Sequence, residues 1–347
     1  MAERTMKAVI LDEDRNLTVR TVPIPVPEPG QVLVRVEASP INPSDLLFLE
    51  GNYPTAKPFP CTPGFEGSGT VIENGGGFMG WRLVNKRVAI VTSQSASHGC
   101  WSEYTVVDSK LCITLNDETS FDQGSSFFVN PLTVIMFMEM IEQGKHKSVV
   151  QNAAASALGK MLLRCCLNKN IPLINIVRRQ EQAEELIRLG AVYVINSSEE
   201  HFETQLKALT DRLQTTIAFD AVGGEATGML FDALKPQGTV YVYGMLSGER
   251  SAGISASGLV FHGKKVEGSW MYPWLTGKGV MGALSVFSQV SRLIASDLKT
   301  DFQRIFTLDQ IGEAIALYRN NMSAGKVLIK PSLLVQESQA PKSEAPQ

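Results

Sequence analysis

Val149-Val150-Gln151-Asn152 runs directly into Ala153-Ala154-Ala155-Ser156-Ala157-Leu158-Gly159, an apolar stretch followed by a turn of small residues that opens a helix. A strand, a tight turn and a helix N-terminus together present several backbone N–H groups, and the positive end of the helix dipole, to a pyrophosphate. Such a turn needs small side chains because its backbone must approach the phosphate closely. Ala155, Ser156, Ala157, Leu158 and Gly159 are therefore candidate cofactor contacts. The run is not a clean GxGxxG, since Gly159 alone is glycine, and an ordinary strand-to-helix turn accounts for the same residues. A second signal lies about 20 residues further on, where binders of the unphosphorylated dinucleotide carry an acid for the ribose hydroxyls. Here the chain reads Asn175-Ile176-Val177-Arg178-Arg179. Two guanidinium groups at that place favour a 2′-phosphate through bidentate charge-assisted bonds, so NADPH is expected over NADH. A solvated basic turn is the alternative. Asp220-Ala221-Val222-Gly223-Gly224 and Tyr243-Gly244 end two further apolar runs. Ligands of open parallel sheets lie beyond the carboxyl ends of the strands, which adds Val222, Gly223, Tyr243 and Gly244 as candidates beside the plainer reading as loop residues.

Such a site requires a parallel sheet beneath it. From residue 149 onward, short apolar runs alternate with helix-length amphipathic segments: 149–152 with 156–167, 173–177 with 180–189, 192–195 with 201–213, and 216–221 with 226–234. Runs at 239–243 and 265–267 complete the set. Strands buried on both faces and joined by crossover helices make a doubly wound parallel sheet. The earlier part reads differently. Segments 6–11, 17–22, 31–39, 71–73, 87–91 and 103–107 alternate or are β-branched, and prolines and glycines break them, as expected of a small β-barrel or sandwich. The glycine-rich stretch 74–80 reads as a flexible edge. Helical stripes follow at 279–295 and 311–318, and a last strand at 326–330 rejoins the first domain. The fold class expected is α/β, a β-domain plus a Rossmann-type doubly wound domain. The boundaries are 1–122 for the first part of the β-domain, 123–268 for the nucleotide-binding domain, 269–335 for the return, and 336–347 for a flexible polar tail.

A chain of 347 residues exceeds the usual size of one compact core, which agrees with two domains. With 44% hydrophobic and 19% charged residues it is not a disordered chain. Its 32 Lys and Arg against 35 Asp and Glu provide no positive field for a nucleic-acid backbone. No apolar run approaches the roughly 18 residues of a membrane span, and the first residues lack an apolar signal core. A soluble, cytoplasmic enzyme with no nucleic-acid or membrane partner is expected. Five cysteines without CxxC spacing argue against a disulfide framework, and neither they nor the four scattered histidines form a metal-ligand set.

Several segments in order and spacing resemble the medium-chain dehydrogenase/reductase superfamily: Gly30-Gln31-Val32-Leu33-Val34, Ile41-Asn42-Pro43-Ser44-Asp45, Pro63-Gly64-Phe65-Glu66-Gly67-Ser68-Gly69, Asp220-Ala221-Val222-Gly223-Gly224 and Gly325-Lys326-Val327. The resemblance implies a GroES-like β-domain, an inserted Rossmann domain and a return to the first. Zinc-dependent members place Cys where Asn42 stands, Gly-His-Glu where this chain has Gly64-Phe65-Glu66, and a third ligand near Val129-Asn130. A lone carboxylate cannot hold catalytic zinc, so no metal is expected. What remains resembles the zinc-free quinone oxidoreductases, enone reductases and 2-enoyl thioester reductases. Val149–Gly159 with its Gln151-Asn152-Ala153, Val129-Asn130-Pro131-Leu132-Thr133, Gly51-Asn52-Tyr53-Pro54 and Gly268-Ser269-Trp270 lean toward the thioester branch. The resemblance implies Thr133, Asn42 and Lys326 as cofactor contacts and Tyr53, with Asn42, as catalytic. A tyrosine hydroxyl can meet the enolate charge that hydride addition builds on a carbonyl oxygen, although a loop tyrosine packed without chemistry fits equally. The activity implied is NADPH-dependent hydride transfer to a quinone or an α,β-unsaturated carbonyl. Enoyl thioester reduction is the alternative, and a non-catalytic NADPH-binding or structural member is an alternative of another class. The resemblance also implies a homodimer joined through the Rossmann edge near 239–243 and 265–267.

Overall fold

The computed structural model describes residues 4–54, 57–93 and 95–332. The tail expected at 336–347 lies outside the described residues. Strands β1 (Thr5–Leu11) and β2 (Leu17–Pro23) form an antiparallel ribbon. β3 (Gln31–Pro40), α1 (Pro43–Leu49), β4 (Glu66–Asn74), α2 (Phe78–Leu83), β5 (Arg87–Val91), β6 (Tyr104–Asp108), β7 (Cys112–Thr114) and α3 (Phe121–Ser125) follow. Helix α4 (Val129–Gln143) leads into β8 (Val149–Gln151), α5 (Ala157–Asn168), β9 (Leu173–Val177), α6 (Gln180–Arg188), β10 (Tyr193–Asn196) and α7 (Phe202–Leu213). Next come β11 (Ile217–Asp220), α8 (Glu225–Ala233), β12 (Thr239–Val242), α9 (Ala256–Val260), β13 (Lys265–Gly268), α10 (Met271–Gly277) and α11 (Gly279–Leu293). The chain ends its described course in β14 (Phe302–Phe306), α12 (Ile311–Asn320) and β15 (Lys326–Ile329).

Two compact units result, one running to Val129 and resuming at Thr300, the other Asn130–Lys299. In the first, a mostly antiparallel sheet takes the order β14-β15-β3-β4-β5-β7, with β6 also paired to β3. This is the GroES-like domain. In the second, parallel strands take the order β10-β9-β8-β11-β12-β13, the doubly wound Rossmann sheet. β9 and β11 are buried along their whole length, because crossover helices cover both faces of the sheet. Ile174, Ile176, Ala218 and Val240 from the strands pack there with Phe202, Leu206, Leu230 and Phe231 from α7 and α8.

The unit boundaries differ from those expected at 122/123 and 268/269, and specific contacts move them. Ser68 Oγ donates to Phe121 O at 2.6 Å, which keeps α3 with the β-domain. Helices α10 and α11 stay with the Rossmann unit through a Lys278–Glu139 ion pair at 2.6 Å and through Arg164, which reaches the carbonyls of Asp297 and Lys299. Re-entry into the β-domain happens at Thr300, whose N–H and C=O both pair with the Gln123 amide, at 2.9 and 2.8 Å. Within the glycine-rich stretch expected as a flexible edge, Gly75 is close-packed, while a Cβ on Gly77 would meet nothing within 4 Å. A Cβ on Gly75 would stand 2.2 Å from Glu28 O, so glycine is what lets the two loops touch.

Two glycines of opposite environment test how tightly this frame is packed. A Cβ at Gly159 would sit 2.3 Å from Ala154 O, whereas one at the exposed helical Gly312 would meet nothing within 4 Å. Gly159→Ala is expected to lower the unfolding free energy by about 1–3 kcal/mol through overpacking. Gly312→Ala should raise it by about 0.5–1 kcal/mol through helix propensity. Urea unfolding of the two variants beside the parent measures both.

Candidate functional site

In the Rossmann unit the strand order reverses between β8 and β11, the place where such sheets bind dinucleotides. All strands there are parallel, so Ala155–Gly159 after β8, Arg178 and Arg179 after β9, Val222 and Gly223 after β11, and Tyr243 and Gly244 after β12 gather at one end of the sheet. Asp220 holds that end together. It is fully buried, and its carboxylate accepts from Asn152 Nδ2, from the amides of Val222 and Gly223 at 2.8 and 3.0 Å, and from Thr227 Oγ1 at 2.6 Å. The Tyr243 and Gly244 amides donate to its backbone carbonyl. Asp220 therefore positions the loops, with its carboxylate engaged by four donors of the protein itself. Positive φ values of 73° and 61° at Gly223 and Gly224 complete the turn it anchors. Tyr243 lies edge-on against Phe137, 4.9 Å between centroids, and burial raises its hydroxyl above the ordinary range.

Ser156, which interrupts the expected glycine pattern, is the N-cap of α5: its Oγ accepts from Gly159 N at 3.1 Å. The first turn of α5 contains no acidic residue, so no carboxylate competes there with a phosphate for the helix end. Arg178 and Arg179 are exposed. The Arg178 backbone is fixed on both sides, N–H to Gln182 Oε1 at 3.1 Å and C=O from Ser198 Oγ at 2.8 Å. These residues fit a phosphorylated dinucleotide: helix amides for the pyrophosphate and two guanidinium groups one strand away. Thr133 lies buried on α4.

The β-domain presents a buried polar cluster. Asn42 is fully enclosed, and its Nδ2 donates to Glu66 Oε1 at 2.9 Å while its Oδ1 accepts from Lys326 Nζ. The other Glu66 oxygen takes the amides of Phe128 and Val129, each at 3.0 Å. Asp45 accepts from Asn42 N at 2.8 Å and from Phe65 N at 3.0 Å, so α1 is tied to the loop before β4. Lys326, expected as a cofactor contact, has its ammonium buried in this cluster with Asn42 and Ile41 O. Tyr53 is half-buried, with its ring 5.0 Å from that of Phe65. The donors do not fit zinc: Asn42 and Phe65 offer neither thiolate nor imidazole, and the Glu66 carboxylate is already hydrogen-bonded on both oxygens. Among the described residues no group of three or more His, Cys, Asp or Glu could hold a metal ion, and the five cysteines are free and buried. The Lys326–Asn42 contact was missed from sequence, because it joins residues far apart in the chain.

Burial sets the protonation of this cluster. It pushes the Asp45 carboxyl up to about 6, against the pull of its two amide donors, and raises Glu66 as well. It drives the Lys326 ammonium down to about 8, although Glu66 and Asp45 oppose that shift. Between the ordinary value of 3.8 and about 6, folded Asp45 keeps a proton that the unfolded chain has released. Its stabilising contribution is thus full below the unfolded value and is lost as pH rises through 6. Urea unfolding should show the parent losing on the order of 3 kcal/mol between pH 4 and 7 from this group, while Asp45→Asn flattens that slope. An unchanged slope in the variant would assign the titration to another carboxyl.

The fold agrees with what known proteins show. Residues 157–286 match the family described as zinc-binding dehydrogenase, and residues 28–117 match the alcohol dehydrogenase GroES-like domain. The chain is 30% identical over 269 residues to a mitochondrial enoyl-[acyl-carrier-protein] reductase of Caenorhabditis elegans, covering 76% of each chain. It is 29% identical over 280 residues to the mitochondrial enoyl-[acyl-carrier-protein] reductase of Arabidopsis thaliana, covering 78% of this chain and 73% of that one. Among solved structures, a Mesorhizobium loti protein described as an NADPH:quinone reductase superposes with a TM-score of 0.86 at 29% identity, over 95% of this chain and all of that one. With a GroES-like and a Rossmann unit, relatives of both reductase kinds, and no donor set for zinc, the chain belongs to the medium-chain dehydrogenase/reductase superfamily of nicotinamide-dependent oxidoreductases, in its zinc-free quinone and enoyl reductase-like division.

Proposed function

We propose that the protein is an NADPH-dependent reductase that adds hydride to a quinone or to the electron-poor C=C of an α,β-unsaturated carbonyl, without a metal. The observation that carries this reading is the combination of two exposed guanidinium groups beside an acid-free helix N-terminus with a β-domain cluster whose donors suit no metal. Ala155, Ser156, Ala157, Leu158 and Gly159 would hold the pyrophosphate. Arg178 and Arg179 would hold the 2′-phosphate, and Val222, Gly223, Tyr243, Gly244 and Thr133 would line the remainder. When bound, the reduced nicotinamide supplies the hydride. Tyr53 then hydrogen-bonds to the oxygen that gains negative charge, or gives it a proton, while Asn42 holds the loop before α1 in place. Lys326 supports Asn42 from within the cluster. Reduction of an enoyl thioester is the second reading. It is favoured by Gly51-Asn52-Tyr53-Pro54 and by relatives named as enoyl-[acyl-carrier-protein] reductases.

Consumption of NADPH and of NADH with 1,4-benzoquinone, an alkenal and crotonyl-CoA tests the reading and separates its branches. The double variant Arg178→Ala/Arg179→Ala should weaken NADPH binding by about 10–100-fold and leave NADH within a few-fold, the size expected for lost charged hydrogen bonds. Tight NADPH binding with no acceptor reduced would instead favour a non-catalytic member.

We also propose a homodimer. β13 is an edge strand of the parallel sheet, and Val260 and Phe261 just before it are 72% and 80% exposed. Pairing β13 with its copy would continue the sheet and cover those side chains. Light scattering should give twice the single-chain mass of 37.9 kDa, and a value near one chain would sink the proposal. Among the described residues no helix is long and apolar enough to cross a membrane. A cytoplasmic site, expected from sequence, competes with the mitochondrial one named for the enoyl reductase relatives, and imaging a tagged chain against a mitochondrial dye decides between them.

A further inference from the structure

Four lysines are buried to below a tenth of their surface among the described residues: Lys57, Lys160, Lys264 and Lys326. Three have the partners that a buried ammonium requires. Lys160 pairs with Glu185, Lys264 donates to the carbonyls of Phe231 and Asp232 at 2.9 Å each, and Lys326 donates to Asn42. Lys57 is different. It is 5% exposed, and its Nζ finds no hydrogen-bond acceptor among the described residues. It stands instead over two rings, 5.9 Å from the centroid of Phe48 and 5.4 Å from that of Phe65. At the outer limit of cation–π range, those contacts hold the ammonium weakly. The Phe65 ring also carries Tyr53 against it, so ammonium and phenol share one aromatic neighbour. The surroundings offer a further donor without an acceptor. Trp101 Nε1 is buried and unpartnered among the described residues beside Gly64, the residue before Phe65. Two buried donors without a partner among the described residues, one on Lys57 and one on Trp101, suit an anionic oxygen.

We propose that the Lys57 ammonium receives the anionic oxygen formed on the acceptor during reduction, as a catalytic residue acting beside Tyr53. The assignment rests on the reductase reading above and adds a residue to it. Hydride addition at the β-carbon of an unsaturated carbonyl pushes the C=C electron pair toward the carbonyl and leaves an enolate oxygen. Addition to a quinone leaves a phenolate oxygen. One cation serves both, because each intermediate carries its charge on oxygen until a proton is taken up. The flexible four-carbon stem lets the head group leave the ring faces for that oxygen, exchanging weak contacts for a charge-assisted hydrogen bond. Burial also holds the Lys57 pKa below the ordinary lysine value, against the opposing influence of Cys61, Cys100 and Asp45, with His98 nearby as a further titratable neighbour. An ammonium so placed gives up a proton more readily than a solvated one, which suits it to quench the oxyanion it has bound.

Lys57→Met and Lys57→Arg, compared with the parent, test the assignment through turnover and through a probe that needs no turnover. Absorbance titration of bound 4-nitrophenol reads how strongly the site favours a phenolate. The parent should lower the apparent pKa of the bound probe by about one unit or more, Lys57→Met should abolish the shift, and Lys57→Arg should restore most of it. In steady-state assays Lys57→Met should lose about 10²–10³-fold in kcat, the cost of one lost oxyanion donor, with NADPH affinity unchanged. Its melting temperature should equal or exceed the parent's, because the variant no longer buries an unpaired ammonium. A parent that leaves the probe's pKa unshifted, or a Lys57→Met variant that keeps both the shift and full turnover, overturns the proposal. A parent that reduces no acceptor yet shows a Lys57-dependent probe shift refutes the reductase reading and leaves the oxyanion site standing.

Discussion

The β-domain depends on one buried chain of polar contacts, Lys326 to Asn42 to Glu66. An ammonium and a carboxylate removed from water cost several kcal/mol each unless they are paired and hydrogen-bonded. Here Asn42 lies between them, accepting from the lysine and donating to the glutamate, and the Phe128 and Val129 amides satisfy the remaining Glu66 oxygen. Each partner comes from a different part of the chain: the strand that returns from the Rossmann unit, the loop before α1, the start of β4 and the segment leading into α4. The arrangement therefore fixes more than charge. It requires β15 to lie beside β3, where Leu328 pairs with Pro40, and it determines where the inserted unit leaves and rejoins. Removing one partner would strand the other, so such a cluster is hard to dismantle by single substitutions even though an apolar core could be equally stable.

The Rossmann unit solves a parallel problem with a single carboxylate. Asp220 receives four donors at the carboxyl ends of the strands and thereby ties Asn152 after β8, the turn after β11 and Thr227 on α8 to one point. The loops that would face a dinucleotide are set by this hub, which takes the amides of Val222, Gly223, Tyr243 and Gly244 and so fixes their backbone. In both units a buried acid orders the backbone around it.

Periodicity and turn chemistry made the architecture legible. The alternation of short apolar runs with amphipathic helices after residue 149 is a local property that survives folding, and so is the Pro- and Gly-broken β-pattern before it. The boundaries were less legible, because α10 and α11 carry an ordinary amphipathic stripe that does not say which unit they cover. The Lys278–Glu139 pair decides it, and that pair spans 139 residues. Within the site, sequence pointed to the small-residue turn and the two arginines, which are contiguous motifs. It could not reveal that Lys326 is directed inward to Asn42, 284 residues away, or that Lys57 is enclosed by aromatic rings. Side chains of one type look the same in sequence whether their environment is water, a carbonyl or a phenyl face.

Ser156 shows how a departure from a family pattern can change meaning once the backbone is known. By composition it is an unwanted side chain at a place of close approach. In the structure its hydroxyl caps α5 and takes the Gly159 amide at 3.1 Å, one of the donors that a bare glycine turn would leave for a phosphate. The helix gains a cap worth about 1 kcal/mol, and the turn retains the Ala157 and Leu158 amides, which precede any possible i−4 partner. Affinity lost at this amide can be recovered one strand away, where charged hydrogen bonds from Arg178 and Arg179 are individually stronger than a neutral amide contact. On the proposed NADPH reading, those arginines act on the 2′-phosphate, the group that NADH lacks. If that reading holds, a turn weakened in this manner discriminates more sharply between the two dinucleotides than a full glycine turn, because more of the binding energy comes from the feature that differs between them.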